Sequence, residues 1–305
     1  MSLFLKSIYL SSGLSLLYIY LLYRSHPWRR LPATTVTLTF VVGMLAVIPV
    51  ALLRTVLPFD RGTTAFSAYV SAGLVEETVK FAAMLLTVWR YRFPDAVEPL
   101  DFAIFFGLLG VGFGVYEDFW YIFGGSYDLW LQGDLGRFGE VFNAMLAARA
   151  FPGHILFNGL AGFLIGTARA LRRDKRRFLY LVGAFLIAVA AHGTFNLIAD
   201  VGGRIPLLAY IVILIGLFVY ARQLSASRSP FRTLIGQIRG KEPSGWAFPR
   251  PPIDYLFTEG FSWPQEGKGG MFQVFPVVLS LVILYPVLFG CVYLMHRWVT
   301  WGISG

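Results

Sequence analysis

Long apolar runs separated by short polar breaks organise the chain. Eight such runs stand out, at 3–22, 33–57, 64–88, 101–123, 141–168, 178–200, 205–222 and 271–295. Each is within or above the roughly 17–25 residues that a helix needs to cross the hydrocarbon core of a bilayer. No two-residue alternation recurs, so the runs are expected to be helices, whose backbone hydrogen bonds close within the segment. The pattern predicts an all-α polytopic membrane helix bundle of about eight transmembrane helices. It forms one integral membrane domain over residues 1–305, with no second globular domain. The first run differs from a signal peptide, because its basic residues Arg24, Arg29 and Arg30 follow the apolar stretch and no small-residue cleavage site is evident. It reads as an uncleaved helix.

Composition agrees with the pattern. The chain is 56% hydrophobic and 14% charged, with mean hydropathy +0.64, whereas soluble domains carry about 25% charged residues. Its formal net charge of +9 raises the question of nucleic acid. The basic residues cluster in the breaks between apolar runs, however, and form no continuous basic face, so no nucleic-acid partner is expected. Loops 23–32, 89–100, 169–177 and 223–270 are rich in Lys and Arg. Loop 124–140 instead carries Asp128, Asp134 and Glu140 against Arg137. The positive-inside rule then places the basic loops in the cytoplasm and both termini outside; the expected membrane is a bacterial or archaeal plasma membrane. The long loop 223–270, with "FPRPPIDY", reads as largely irregular; its segment "FRTLIGQIRG" has the character of a basic surface helix. The single cysteine, Cys291, rules out an intramolecular disulfide.

Four successive runs break their own rule. The third carries Glu76, Glu77 and Lys80; the fourth Glu117 and Asp118; the fifth His154 and Asn158; the sixth His192 and Asn196. An ionised group at the centre of a membrane helix costs on the order of 3 kcal/mol on insertion scales, so such residues mark function by default. His154/Asn158 and His192/Asn196 are each spaced i, i+4, and so is Glu76/Lys80, which places each pair on one helix face. Glu76 and Glu77 differ by about 100° around the helix, so one is expected to do chemistry while the other orients a neighbour or pairs with Lys80. The assumed boundaries put Glu76 and His154 near the midplane, with Glu117 and His192 somewhat outside it. A lone membrane histidine is usually a satisfied interhelical hydrogen bond, and Arg54 and Arg149 fit snorkelling or charge neutralisation. Gly107, Gly110, Gly112 and Gly114 lie within a helix and suit close packing better than phosphate binding. Acidic and imidazole groups on four successive runs are better explained as one constellation.

Carboxylate and imidazole together can activate a water, while a second histidine with an asparagine can donate to a developing oxyanion. No serine or cysteine stands beside a base as a nucleophile. The same histidines and glutamates suit zinc, but no HExxH is present. The expectation is therefore that no metal is required, with zinc as the alternative. A proton-coupled transporter or channel, or an inactive membrane scaffold, are the competing readings of a buried Glu/His set.

The ordered motifs resemble a family. "EETVK" (Glu76–Lys80) matches EExxK, "FGVYE" (Phe113–Glu117) matches FxxxE, and two HxxxN segments follow, His154–Asn158 and His192–Asn196. This set, over about residues 64–200, is similar to the PrsW group of intramembrane proteases, in the superfamily of CAAX prenyl endopeptidases. In CAAX-type relatives the second motif ends in His, whereas here it ends in Glu117. The resemblance implies catalytic roles for Glu76 and Glu77 with Glu117 and His154 assisting, and carbonyl polarisation by His192 and Asn196. Lys80, Asn158 and Asp118 would support them. It also implies site-1 cleavage of a single-pass anti-sigma factor near its extracytoplasmic side, in contact with membrane lipids.

Overall fold

Proline sets several helix ends. Pro49 lacks the N–H that would bond the carbonyl of Leu45, and the second run divides there into two helices. Pro99 opens the fourth run, at the position where a missing N–H costs nothing. Pro152 disfavours helix at the residue before it and separates two helices that the hydropathy pattern had joined.

The computed structural model describes residues 3–28, 31–56, 63–91, 98–149, 151–170 and 176–229. In chain order the helices are α1 (Leu3–Ser25), α2 (Ala33–Leu45), α3 (Val47–Val56), α4 (Thr64–Phe66), α5 (Val75–Tyr91), α6 (Pro99–Leu131), α7 (Leu135–Arg149), α8 (Gly153–Ala170), α9 (Arg177–Leu197) and α10 (Arg204–Ser227). A π-helical segment, Ser67–Leu74, joins α4 to α5, and a second, Ile198–Gly202, extends α9. Gly203, at φ 74°, makes the turn into α10 with a backbone that only glycine adopts without strain. All regular structure among the described residues is helical.

Within the described residues the first seven expected runs reappear as helix, with one correction. The fifth does not begin at 141. Residues up to Arg149 form the separate helix α7, and α8 starts at Gly153. His154 consequently lies in the first turn of a helix and not at the middle of a long span. The long loop 223–270 beyond Ser229, with its candidate surface helix, and the run at 271–295 lie outside the described residues.

The centre is α6, 33 residues and so about 50 Å long at 1.5 Å per residue, longer than the ~30 Å core. Ile104, Phe105, Leu108, Leu109, Val115, Phe119 and Ile122 are fully buried on it. Helices α1, α2, α7 and α8 pack around it. Close approach is made by glycine. A Cβ on Gly43 of α2 would meet the Leu109 carbonyl, one on Gly112 the Phe40 carbonyl, and one on Gly162 of α8 the Phe102 carbonyl. Small residues let helix backbones touch, as membrane packing requires.

The outward faces are apolar: Phe178, Leu179, Leu186, Ile205, Val212 and Ile213 are all exposed. Five of the described helical stretches are long and apolar enough to cross a membrane. The stretch carrying Glu76, Glu77 and Lys80 is not one of them. The chain is an integral, multi-pass membrane protein.

A polar knot that the hydropathy pattern does not reveal ties the ends of α1, α6 and α10. His26 Nε2 lies 2.8 Å from Glu98 Oε1 and 3.3 Å from Asp101 Oδ1, all three side chains buried. Asp101 accepts from the Glu98 backbone N–H at 2.9 Å, which caps α6 at its start. Arg222 of α10 donates to the Ser25 carbonyl and Trp28 to the Ala226 carbonyl, both at 2.9 Å. Burial alone would lower the pKa of His26, but hydrogen bonds and charge from Asp101 and Glu98 outweigh it and raise it.

Candidate active site

The first turn of α5 places Glu76 and Glu77 side by side, directly after the π-helical segment. They diverge as the 100° step requires. Glu77 faces inward: its Oε1 accepts from Lys80 Nζ at 2.7 Å and lies 2.9 Å from His192 Nδ1. Glu76 faces α3, where Arg54 Nη2 donates to its Oε1 at 2.6 Å. Its Oε2 is buried without a hydrogen-bond partner, 3.7 Å from Lys80 Nζ and 3.9 Å from His192 Nε2. Both glutamates and Lys80 are essentially inaccessible. Two anions thus face two cations, and this pairing makes such burial tolerable.

Lys80 sits at the hub. Besides Glu77 it reaches His154 Nδ1 at 3.1 Å, and it lies over the Phe113 ring, 4.1 Å from the centroid. An ammonium can only donate, so Nδ1 of His154 accepts and its proton sits on Nε2. That Nε2–H donates to Glu117 Oε2 at 2.6 Å. For His192 the assignment is reversed: Nδ1–H donates to Glu77, and Nε2 keeps its lone pair facing Glu76. The two imidazoles meet edge to face, 5.0 Å between ring centroids at 90°. Phe157 stacks on His192 and Phe113 packs edge-on against His154, fixing both rings.

Packing of α8 against α6 brings His154 to this position. Gly110 leaves room for the His154 backbone, and a Cβ on Gly114 would lie 3.2 Å from the His154 ring. The two asparagines part company. Asn158 is buried, and its Nδ2 donates back to the His154 carbonyl at 3.0 Å, steadying the first turn of α8. Asn196 instead lines a cavity of about 40 Å³, room for a few waters. Glu117, Asp118, His154 and His192 line the same cavity. Glu76, Glu77 and Lys80 stand behind it.

Sequence reasoning missed two cavity residues, Ser15 and Tyr18 of α1, along with the aromatic side formed by Phe151, Phe157 and Phe195. The serines of α1 recur as Ser7, Ser11 and Ser15, an i, i+4 stripe that could have signalled a packed face.

Glu76, His154 and His192 each offer a ligand atom, all within 4.8 Å of one another. Their chemistry fits a divalent metal. Each imidazole is backed by a glutamate, Glu117 behind His154 and Glu77 behind His192, as histidine ligands ordinarily are. The unpartnered Glu76 Oε2 completes the donor set. In this structure the Lys80 ammonium supplies positive charge among those donors. The expectation that no metal is required rests on a carboxylate-activated water as well as on a missing linear motif. Donors drawn from three helices leave no such motif.

Comparison with known proteins identifies relatives. A family model described as PrsW family intramembrane metalloprotease matches residues 31–221, from just before α2 into α10. Protease PrsW of Clostridioides difficile (strain 630) is 31% identical over 182 residues, which is 58% of this chain and 71% of the relative. Protease PrsW of Bacillus subtilis (strain 168) is 24% identical over 169 residues, 55% of this chain and 70% of the relative. No solved structure matches the chain.

Proposed function

Because the chain belongs to the PrsW family of intramembrane proteases, we propose that the cavity between α6, α8 and α9 is where it hydrolyses a peptide bond of a single-pass membrane protein. The observation that carries this reading is the meeting of Glu117, His154, His192 and Asn196 in one small cavity large enough for water, with Glu76, Glu77 and Lys80 behind.

Water and carbonyl need different partners. Glu117 is the glutamate of the three that faces the cavity, its side chain 16% exposed against 1% and 0% for Glu76 and Glu77. It takes the proton of the attacking water and returns it to the leaving amine, a role worth about 10²–10⁴-fold. His154 Nε2–H holds the carboxylate in place meanwhile. The Asn196 amide donates to the oxygen of the scissile carbonyl as charge develops there. Glu77 holds His192 in the tautomer that leaves Nε2 available. A divalent metal, if bound, would be held by Glu76, His154 and His192 and would supply Lewis-acid polarisation. The resemblance assigns the leading role to Glu76 and Glu77; their burial supports charge balance, ligation and orientation.

The substrate class implied by the family resemblance is an anti-sigma factor, cut at site 1. Reconstitution in proteoliposomes with a panel of single-pass proteins tests the proposal. Wild type is expected to release product, with Glu117→Gln, Glu76→Gln and His192→Ala each at least 100-fold slower. Cleavage by these variants at the wild-type rate would overturn the assignment of the site, and a panel left intact by wild type would overturn the substrate class.

A further inference from the structure

The catalytic groups all come from α5, α6, α8 and α9, within the segment that matches the family model. One wall of the cavity does not. Ser15 and Tyr18 lie on α1, whose residues 3–25 precede the matched segment. They are spaced i, i+3 and so share the helix face turned to the site.

That wall is rigid. Ser7, Ser11 and Ser15 are buried at 0%, 0% and 2%, and each hydroxyl donates to the carbonyl four residues back, at 3.0, 2.9 and 2.9 Å. Their polar atoms are thus satisfied within α1, and their small size lets the helix lie against α6. Phe4 packs edge-on against Phe119 and Phe123 of α6, with centroids 5.6 and 6.0 Å apart. At the other end Leu22 lies 3.3 Å from where a Cβ on Gly107 would stand. Packed interiors transmit a change of one methylene, so a side chain in such a wall sets a size limit.

The facing wall is built of stacked aromatic rings. Phe151 and Phe195 stack at 5.2 Å and 22°, and Phe157 stacks on His192. Between the walls the cavity holds only about 40 Å³. A space of that size takes a small side chain more readily than a bulky one.

We propose that α1 is the specificity wall of the protease, and that Tyr18 limits the size of the substrate side chain seated beside His154 and Glu117. The inference rests on the proteolytic reading above. Catalysis and selection then fall on separate parts of the chain, with chemistry in α5 to α9 and the size limit in α1.

The test is a substrate series in proteoliposomes. The residues flanking the mapped cut are varied from Ala and Ser to Leu and Phe, and kcat/KM is compared as a bulky-to-small ratio. Wild type should favour the small residues. Tyr18→Ala should raise the ratio at least tenfold, and Ser15→Leu should lower it further. Tyr18→Phe, which keeps the ring, should hold the ratio within about twofold of wild type. Tyr18→Leu, which trims the ring but keeps apolar packing, should raise it in the same direction and covers failure of the alanine variant to fold. An unchanged ratio in Tyr18→Leu or Tyr18→Ala while cleavage persists overturns the specificity wall and leaves the protease reading standing. No cleavage by wild type of any member overturns both.

Discussion

Lys80 shows most sharply how single residues hold this site together. It is fully buried, bonded to Glu77 and His154 and close to Glu76. Removing one member of a buried ion pair leaves the other charge uncompensated, at a cost of about 3–5 kcal/mol. Lys80→Met is therefore expected to lower the melting temperature in detergent markedly. The double variant Lys80→Met/Glu77→Leu should recover part of the loss, because it removes the stranded charge as well. If Lys80→Met melts like wild type, the ion pair is not holding the site. The asparagines offer a second contrast. Asn196 lines the cavity, whereas Asn158 is spent on the His154 carbonyl. In a cleavage assay Asn196→Ala should lose about 10²-fold, the scale of a lost oxyanion donor, and Asn158→Ala distinctly less. Equal losses would mean that the identical i, i+4 spacing reflects identical roles after all.

Helices α2, α6 and α8 touch through glycine, and the cost of adding a methyl depends on what it meets. At Gly162 it meets the Phe102 carbonyl of α6, so Gly162→Ala should destabilise by about 1–3 kcal/mol through overpacking. At Gly183 of α9 the space is open, and Gly183→Ala should be neutral or up to about 1 kcal/mol stabilising through helix propensity. Thermal unfolding of the two variants side by side checks the pairing of these elements. Where α1, α6 and α10 end together, the His26 knot predicts a pH dependence. The Trp28 N–H bonded to Nδ1 favours the neutral ring, but two buried carboxylates at Nε2 outweigh one neutral hydrogen bond. With its folded pKa raised, the charged ring contributes stability that is fully present below the unfolded value of about 6.5 and is lost as pH rises through the folded value. The wild-type advantage over His26→Ala in melting temperature should accordingly shrink on going from pH 6 to higher pH. An advantage that grows with pH would reverse the sign of this argument.

At the scale of the whole molecule, orientation decides where a substrate is cut. If the basic loops lie in the cytoplasm, as the charge pattern implies, α6 starts there, and Glu117 lies 18 residues from Pro99, about 27 Å along the helix. In that orientation the cavity would lie toward the outer leaflet, where an unwound substrate helix finds water for its freed backbone groups. The expected product is a membrane-held cytoplasmic remnant, which mass spectrometry of the reconstituted reaction would show. A cut on the cytoplasmic side would mean that the orientation is inverted. Read alone, the sequence determined the helical class, the near-complete series of runs and the polar residues that share helix faces, because run length and i, i+4 spacing are local properties of one helix. Motif order was equally local, and it carried the resemblance that the family match bears out. The break at Pro152 was legible in principle, but hydropathy averaged across it. Tertiary structure alone decided which glutamate faces the cavity, which nitrogen of each histidine keeps its lone pair, and that α1 lines the cavity. Those outcomes depend on how five helices pack at close range, and neither hydropathy nor spacing along one chain encodes the distance between two helices.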